Sequence, residues 1–148
     1  QGDEPMIDVN DIKNLHEHAI SKRSEIGTMA SKIKDETIFN KKNIVKVITQ
    51  DELSGNNTSK AKTFLREVPS SIDKNIYHHI GIYIFKVSIL KKFVNLNQTK
   101  NENLQNLEQL RAMDNNISID VVLANSTPIG IDTEEDFIEI KKLMEYKS

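Results

Sequence analysis

The stretch HHIGIYIF (78–85) constrains the fold more than any other segment. Its isoleucines and aromatic rings favour an extended chain. Alternate residues of a strand share a face. His78, Ile80, Ile82 and Ile84 therefore form one side, apolar beyond His78, which is the expected core face. His79, Gly81, Tyr83 and Phe85 form the other, with two polar rings around a glycine. A glycine inside a strand often marks close approach by a ligand or another backbone. A partly covered face with an incidental glycine is the other reading, and the pattern alone leaves both open.

Further strands are predicted at GTMASKI (27–33), NIVKVIT (43–49), TFLREV (63–68) and ISIDVVLAN (117–125). The turn-rich run QDELSGNNTSKAK (50–62) makes 44–68 read as an antiparallel hairpin. Helices are predicted over 9–23, 87–95, 102–115 and 133–146. In the first, Val9, Ile12, Leu15, Ala19 and Ile20 fall on one face, behind a cap at Asp8 or Asn10. In the third, Leu104, Leu107 and Leu110 form a stripe. In the last, Thr133 and Asp136 resemble a capping box, and Phe137, Ile140, Leu143 and Met144 form the inner face. Strands alternating with helices, plus the hairpin, give an α/β fold with a mixed sheet.

The 148 residues suffice for one domain with a core. A net charge of −2 argues against a general nucleic-acid binder. No cysteine is present, which excludes a disulfide scaffold and thiol catalysis. No apolar run approaches the roughly 18 residues of a membrane span.

Two acidic turns, GDEP (2–5) and GIDT (130–133), each follow a strand end and precede a helix. Ligands of open α/β sheets bind at the carboxyl ends of strands. Asp3 and Asp132 could face one another there and hold a hard divalent cation. They could equally be turn formers that cap the helices. Glu108 sits three residues before Arg111, so a surface ion pair competes with a binding role. Arg66, at a strand, is either exposed at a sheet edge or a fork for a carboxylate. His16 and His18 are two apart on a helix, point to different faces and make no metal pair.

Six of these pieces recur in one order: QGDEPMID, NIVKVI, FLREVP, HHIGIYIF, LEQLRAM and IGIDTEEDF. In that combination the chain resembles the 3-deoxy-manno-octulosonate (Kdo) cytidylyltransferases, or CMP-Kdo synthetases, over essentially its whole length. The resemblance implies a Rossmann-like nucleotide-sugar transferase fold with a mixed sheet. It implies the reaction of CTP with Kdo to give CMP-Kdo and pyrophosphate, in a cytoplasmic, usually dimeric enzyme that feeds lipopolysaccharide synthesis. By matching position, Asp3 and Asp132 would carry Mg²⁺, Gln1 would reach the sugar, and Arg66 would hold its carboxylate. His79 and Tyr83 would line the sugar pocket, and Glu108 and Gln109 would bind its hydroxyls.

The chain departs from the family pattern in places. Leu65 stands where the family usually has serine, Ser70 and Ser71 follow Pro69 where an aromatic is common, and TKNENLQN (99–106) replaces a Ser-Pro-Leu-Glu run, with Glu102 a match for its acid. The family's basic phosphate loop and base-reading segment precede QGDEP and are not in these residues. The expectation is thus a partial cytidylyltransferase domain, with 1–50 and 116–148 as core sheet and helices and 62–115 as sugar-binding and dimer region. It is expected to bind CTP poorly alone and not to turn over. A cytidylyltransferase for another acidic sugar and a non-catalytic interaction module are the alternatives.

Overall fold

The computed structural model describes residues 7–55, 57–69, 74–125 and 134–145. Gln1, Asp3, Asp132, the proposed cap Thr133 and the second acidic turn lie outside them. The order is α1 (Val9–Lys22), β1 (Ile26–Lys32), a 3-10 turn (Glu36–Asn40), β2 (Lys46–Thr49), β3 (Thr58–Leu65) and β4 (Ile76–Phe85). There follow α2 (Val87–Phe93), α3 (Lys100–Gln105), α4 (Gln109–Asp114), β5 (Ile119–Leu123) and α5 (Glu134–Glu145).

The described strands form a mixed sheet that closes on itself in the order β1-β4-β2-β3-β5. β1 runs parallel to β5 and antiparallel to β4. The expected hairpin is present as β2–β3. It closes the ring by bridging β4 to β5. β3 begins earlier than its sequence suggests, because Thr58–Lys62 alternates between covered and exposed residues and so has strand periodicity despite its polarity.

Both faces of β4 are packed. Ile80, Ile82 and Ile84 join Leu15, Met29 and Val122 beneath α1. The larger core lies on the other side, where Ile26, Val47, Phe64, Tyr77, Ile119 and Val121 meet, with Tyr83 and Phe85 packed against them. The expectation that the isoleucine face is the main core is corrected here: closure of the ring turns the His79–Tyr83 face inward.

α1 is capped by Asp8, whose carboxylate accepts from the Asn10 N–H at 2.8 Å. Of its predicted inner stripe only Leu15 is buried, whereas Val9, Ile12 and Ile20 are exposed. α1 closes tightly on β1 at Gly27, where a Cβ would lie 2.8 Å from Ile84 Cγ2 and 3.2 Å from Leu15 Cδ1. In α5, Ile140 is buried but Phe137 is exposed. Leu143 and Met144 lie outside the described side chains.

The single helix predicted over 102–115 is two. Thr99 and Glu102 form a full capping box that starts α3. Asn106 then takes left-handed φ 51°, which asparagine tolerates, and ends it. Leu104 is consequently exposed, while Leu107 and Leu110 remain buried after the break. No described helix is long and apolar enough to cross a membrane.

Candidate functional site

β2 pairs with β4 only along Ile76–His78. Past the bond from the His79 N–H to the Val45 carbonyl, nothing described continues that ladder. A cavity of about 430 Å³ opens between this end of β4 and the α3–α4 corner. Its wall brings together Arg66, His79, Tyr83, Glu108 and Gln109, all candidates from the sequence. The size and mixed lining are those of a small-molecule site.

A run of neighbouring rings, four of them lining the cavity and Phe64 behind, forms the apolar side of the wall. Phe64 meets His79 edge-on at 5.0 Å, His79 lies 5.4 Å from Tyr83, and Tyr83 lies 6.2 Å from Phe85. Phe93, from α2, continues it at 5.7 Å. Such rings give a rigid surface with a few polar points. One of those points is Tyr83 Oη, which is buried without a hydrogen-bond partner. Burial raises the Tyr83 pKa well above its ordinary value, with Glu108 adding to the effect, so the phenol stays protonated. His79 is pushed down to about 3 by burial and then by His78, so its ring is neutral at ordinary pH. His78 is lowered too, by burial and by Lys46.

Arg66 follows the end of β3 rather than sitting within it, and it is half-buried. Its Nε donates to the Gln105 carbonyl at 2.7 Å, and its terminal nitrogens donate to the Lys42 and Asn106 carbonyls at 2.9 and 3.0 Å. A guanidinium has five N–H groups, so donors remain. No described carboxylate forms an ion pair with it. Two of its carbonyl partners exist because α3 stops at Asn106, which exposes the last carbonyls of that helix.

Beneath Arg66 lies Lys46, fully buried in β2. Its ammonium donates to the carbonyls of Lys41 at 2.8 Å, Ile44 at 2.7 Å and Arg66 at 2.5 Å. Burial pulls its pKa down to about 8, while Glu67 opposes that pull. The three carbonyls also favour the charged form. The sequence presents Lys46 as an ordinary residue of VKV; its role appears only once three chain segments meet.

Glu108 stands where both of its competing readings need it, at the cavity and beside Arg111. It lines the cavity and its carboxylate is largely exposed. Its contact with Arg111 is long, at 3.4 Å. Arg111 is instead committed to Glu102 through bonds of 2.8 and 2.5 Å, and it stacks 5.1 Å above the Phe93 ring. That pairing holds Glu102 below the usual carboxylate range. Asn43 and Asn106 also line the cavity and were not singled out from sequence. Their polar runs carry no periodicity that would mark them.

Gln1, Asp3 and Asp132 are not described, but the ends of the segments that carry them are. The buried Asp11, in the first turn of α1, accepts from the Asn125 backbone N–H at 2.9 Å and from its Nδ2 at 3.2 Å. The start of α1 and the end of β5 therefore meet. Among the described residues no cluster of three or more His, Asp or Glu side chains could hold a metal.

The chain is similar to known proteins along nearly all of its length. It is 35% identical over 144 residues to the 3-deoxy-manno-octulosonate cytidylyltransferase of Bartonella henselae. It is 39% identical over 148 residues to that of Thermodesulfovibrio yellowstonii. In both cases 97% of this chain is aligned with 58% of the relative. The chain thus spans a little under three-fifths of the length of the curated relatives it matches. The solved structure of CMP:2-keto-3-deoxy-manno-octonic acid synthetase complexed with CTP superposes with a TM-score of 0.85 at 26% identity, over 100% of this chain and 61% of that one. UTP-bound UGPase from Acinetobacter baumannii shares the fold, with a TM-score of 0.61 at 10% identity over 92% of this chain and 44% of that one. A family model described as cytidylyltransferase matches residues 1–119. The chain belongs to the cytidylyltransferase family.

Proposed function

We propose that this chain is the sugar-binding part of an enzyme that activates Kdo with CTP, releasing CMP-Kdo and pyrophosphate. The observation that carries the reading is Arg66: a guanidinium on a cavity wall, steadied by three carbonyls and paired with no described acid. A cation held this way is left to meet an anion from outside, and the planar fork suits a carboxylate. Tyr83 and neutral His79 then face the sugar's hydroxyl-bearing body, with Glu108 and Gln109 binding further hydroxyls from the start of α4. The ring wall excludes water from one side of the ligand and fixes its orientation.

In this reaction the anomeric hydroxyl gives up its proton to solvent as its oxygen bonds to the α-phosphorus, the α-phosphorus bond to the bridging oxygen breaks, and pyrophosphate leaves with that electron pair. The protein's share is positioning, together with neutralisation of phosphate charge. Asp3 and Asp132 are the residues that would hold Mg²⁺, since two carboxylates suit a hard cation. The junction of Asp11 with Asn125 brings together described residues that flank the two acidic segments in the chain, which supports this reading. Bound Mg²⁺ would supply charge neutralisation on the triphosphate. Gln1 would reach the sugar from the same end. A cytoplasmic homodimer serving lipopolysaccharide synthesis completes the reading.

Calorimetric titration with a panel of sugars tests it. Saturable binding of Kdo, weaker binding of sialic acid and none of neutral hexoses is the expected result. Tighter binding of sialic acid would move the assignment to another acidic sugar. Indifference to every acidic sugar would favour a non-catalytic module.

A further inference from the structure

We propose that Thr28 is a positioning residue: it fixes His79 in the form that carries its proton on Nε2, so that Nδ1 stands ready to accept a hydrogen bond from one hydroxyl of the substrate. The identity of that substrate rests on the acidic-sugar reading above; the geometry rests on β1 and β4 alone.

Between Thr28 and Met29 the pairing of β1 with β4 jumps from Tyr83 to Ile80, so Gly81 and Ile82 bulge from the ladder. The Thr28 hydroxyl, fully buried, serves that bulge. Its Oγ1 lies 2.8 Å from the Ile82 carbonyl, 3.3 Å from the Ile80 carbonyl and 3.0 Å from His79 Nε2. A hydroxyl has one proton to give. Carbonyl oxygens cannot donate, so that proton goes to them, chiefly to Ile82. The contact with His79 must then run the other way, with Nε2–H donating and Oγ1 accepting. A neutral imidazole has a single N–H, which leaves Nδ1 with a bare lone pair. Thr28 does not line the cavity, whereas His79 does. No described group bonds Nδ1.

Tyr83 supplies the complement. Its hydroxyl, on the neighbouring ring, is buried without a partner. A substrate hydroxyl can donate to Nδ1 and accept from Tyr83 Oη at once. An ether, a carbonyl or a methyl group cannot donate, and would leave Nδ1 unmatched. Sites with a dedicated buried polar group reject analogues lacking the matching group. Thr28, which touches no ligand in this scheme, thereby sets what the wall selects.

Long-range proton–nitrogen NMR of histidine-labelled protein reads the tautomer directly. Four histidines are present, and His79→Asn identifies the signals of His79. The expected result is a neutral ring with Nε2 protonated, retained in Thr28→Ser and lost or mixed in Thr28→Val. A wild-type ring protonated on Nδ1, or a Thr28→Val ring identical to wild type, overturns the assignment; the wild-type spectrum decides even if Thr28→Val fails to fold. In the same samples, Kdo is expected to shift the Nδ1 resonance saturably and to bind Thr28→Val about tenfold more weakly, the worth of one hydrogen bond. Kdo binding seen elsewhere in the spectrum with Nδ1 unmoved overturns the hydroxyl role. No binding of Kdo anywhere overturns the substrate reading instead, and leaves the tautomer result to decide the role of Thr28.

Discussion

Arg66 and Arg111 are both half-buried arginines at the α3–α4 corner, and their surroundings differ in one respect. Arg111 has an acid partner, Glu102, whose side chain is 6% exposed and which also caps α3. Its charge is consumed within the fold, where it locks the corner together and covers Phe93. Arg66 has carbonyls in place of an acid, and these orient the guanidinium without neutralising it. A cation oriented by carbonyls, with N–H groups to spare and no acid against its charge, is suited to an incoming carboxylate. An arginine's use is therefore better told from its partners than from its burial.

The largest effect on binding is expected at Arg66. Arg66→Gln should weaken Kdo binding roughly 100-fold, the worth of a charge-assisted pair, as read by calorimetry. Lys46 tests the foundation under Arg66. Lys46→Met takes the ammonium from the carbonyls of Lys41, Ile44 and Arg66, of which Lys41 keeps the Ile44 N–H, and should cost roughly 3 kcal/mol in urea unfolding, with weaker sugar binding as Arg66 shifts. Arg111→Met strands the Glu102 carboxylate and should cost roughly 2 kcal/mol, yet leave the affinity of the folded protein within about twofold. Equal losses of affinity in Arg66→Gln and Arg111→Met would break the comparison.

His79 extends the contrast to an uncharged group on the same wall. Its pKa falls from 6.5 to about 3 in the fold. Above about pH 6.5 both folded and unfolded states hold it neutral. As pH falls below that value the unfolded chain takes up a proton that the native ring refuses. Stability should therefore fall by about 1.4 kcal/mol per pH unit until about pH 3, and His79→Gln should flatten that slope. The smallest effect lies across β4. Gly27→Ala crowds Ile84 and Leu15 and should cost about 1 kcal/mol without altering sugar affinity.

Much of this was legible in the sequence, and the remainder has physical causes. HHIGIYIF announces its strand and its two faces because isoleucine and aromatic residues alternate with period two. It does not announce which face is inside, since that depends on the closing hairpin. The break at Asn106 hides in a polar run, because the capping box at Thr99 and Glu102 matters only after α3 has formed. The α1 stripe predicted burial along its length, but packing on β1 covers only Leu15 well. Spacing and resemblance single out Arg66, His79, Tyr83, Glu108 and Gln109, which share one cavity wall. They do not single out Thr28 and Lys46, because each acts through carbonyls brought from other strands and turns, which no local pattern encodes.

The central claim is that Arg66 reads the carboxylate of an acidic sugar. A binding cycle tests it most directly, with Kdo and its carboxamide each titrated against the wild type and Arg66→Gln. The account predicts that the wild type prefers the acid by roughly 100-fold and that this preference collapses to about twofold in the variant. An equal preference for the acid in both proteins would contradict it.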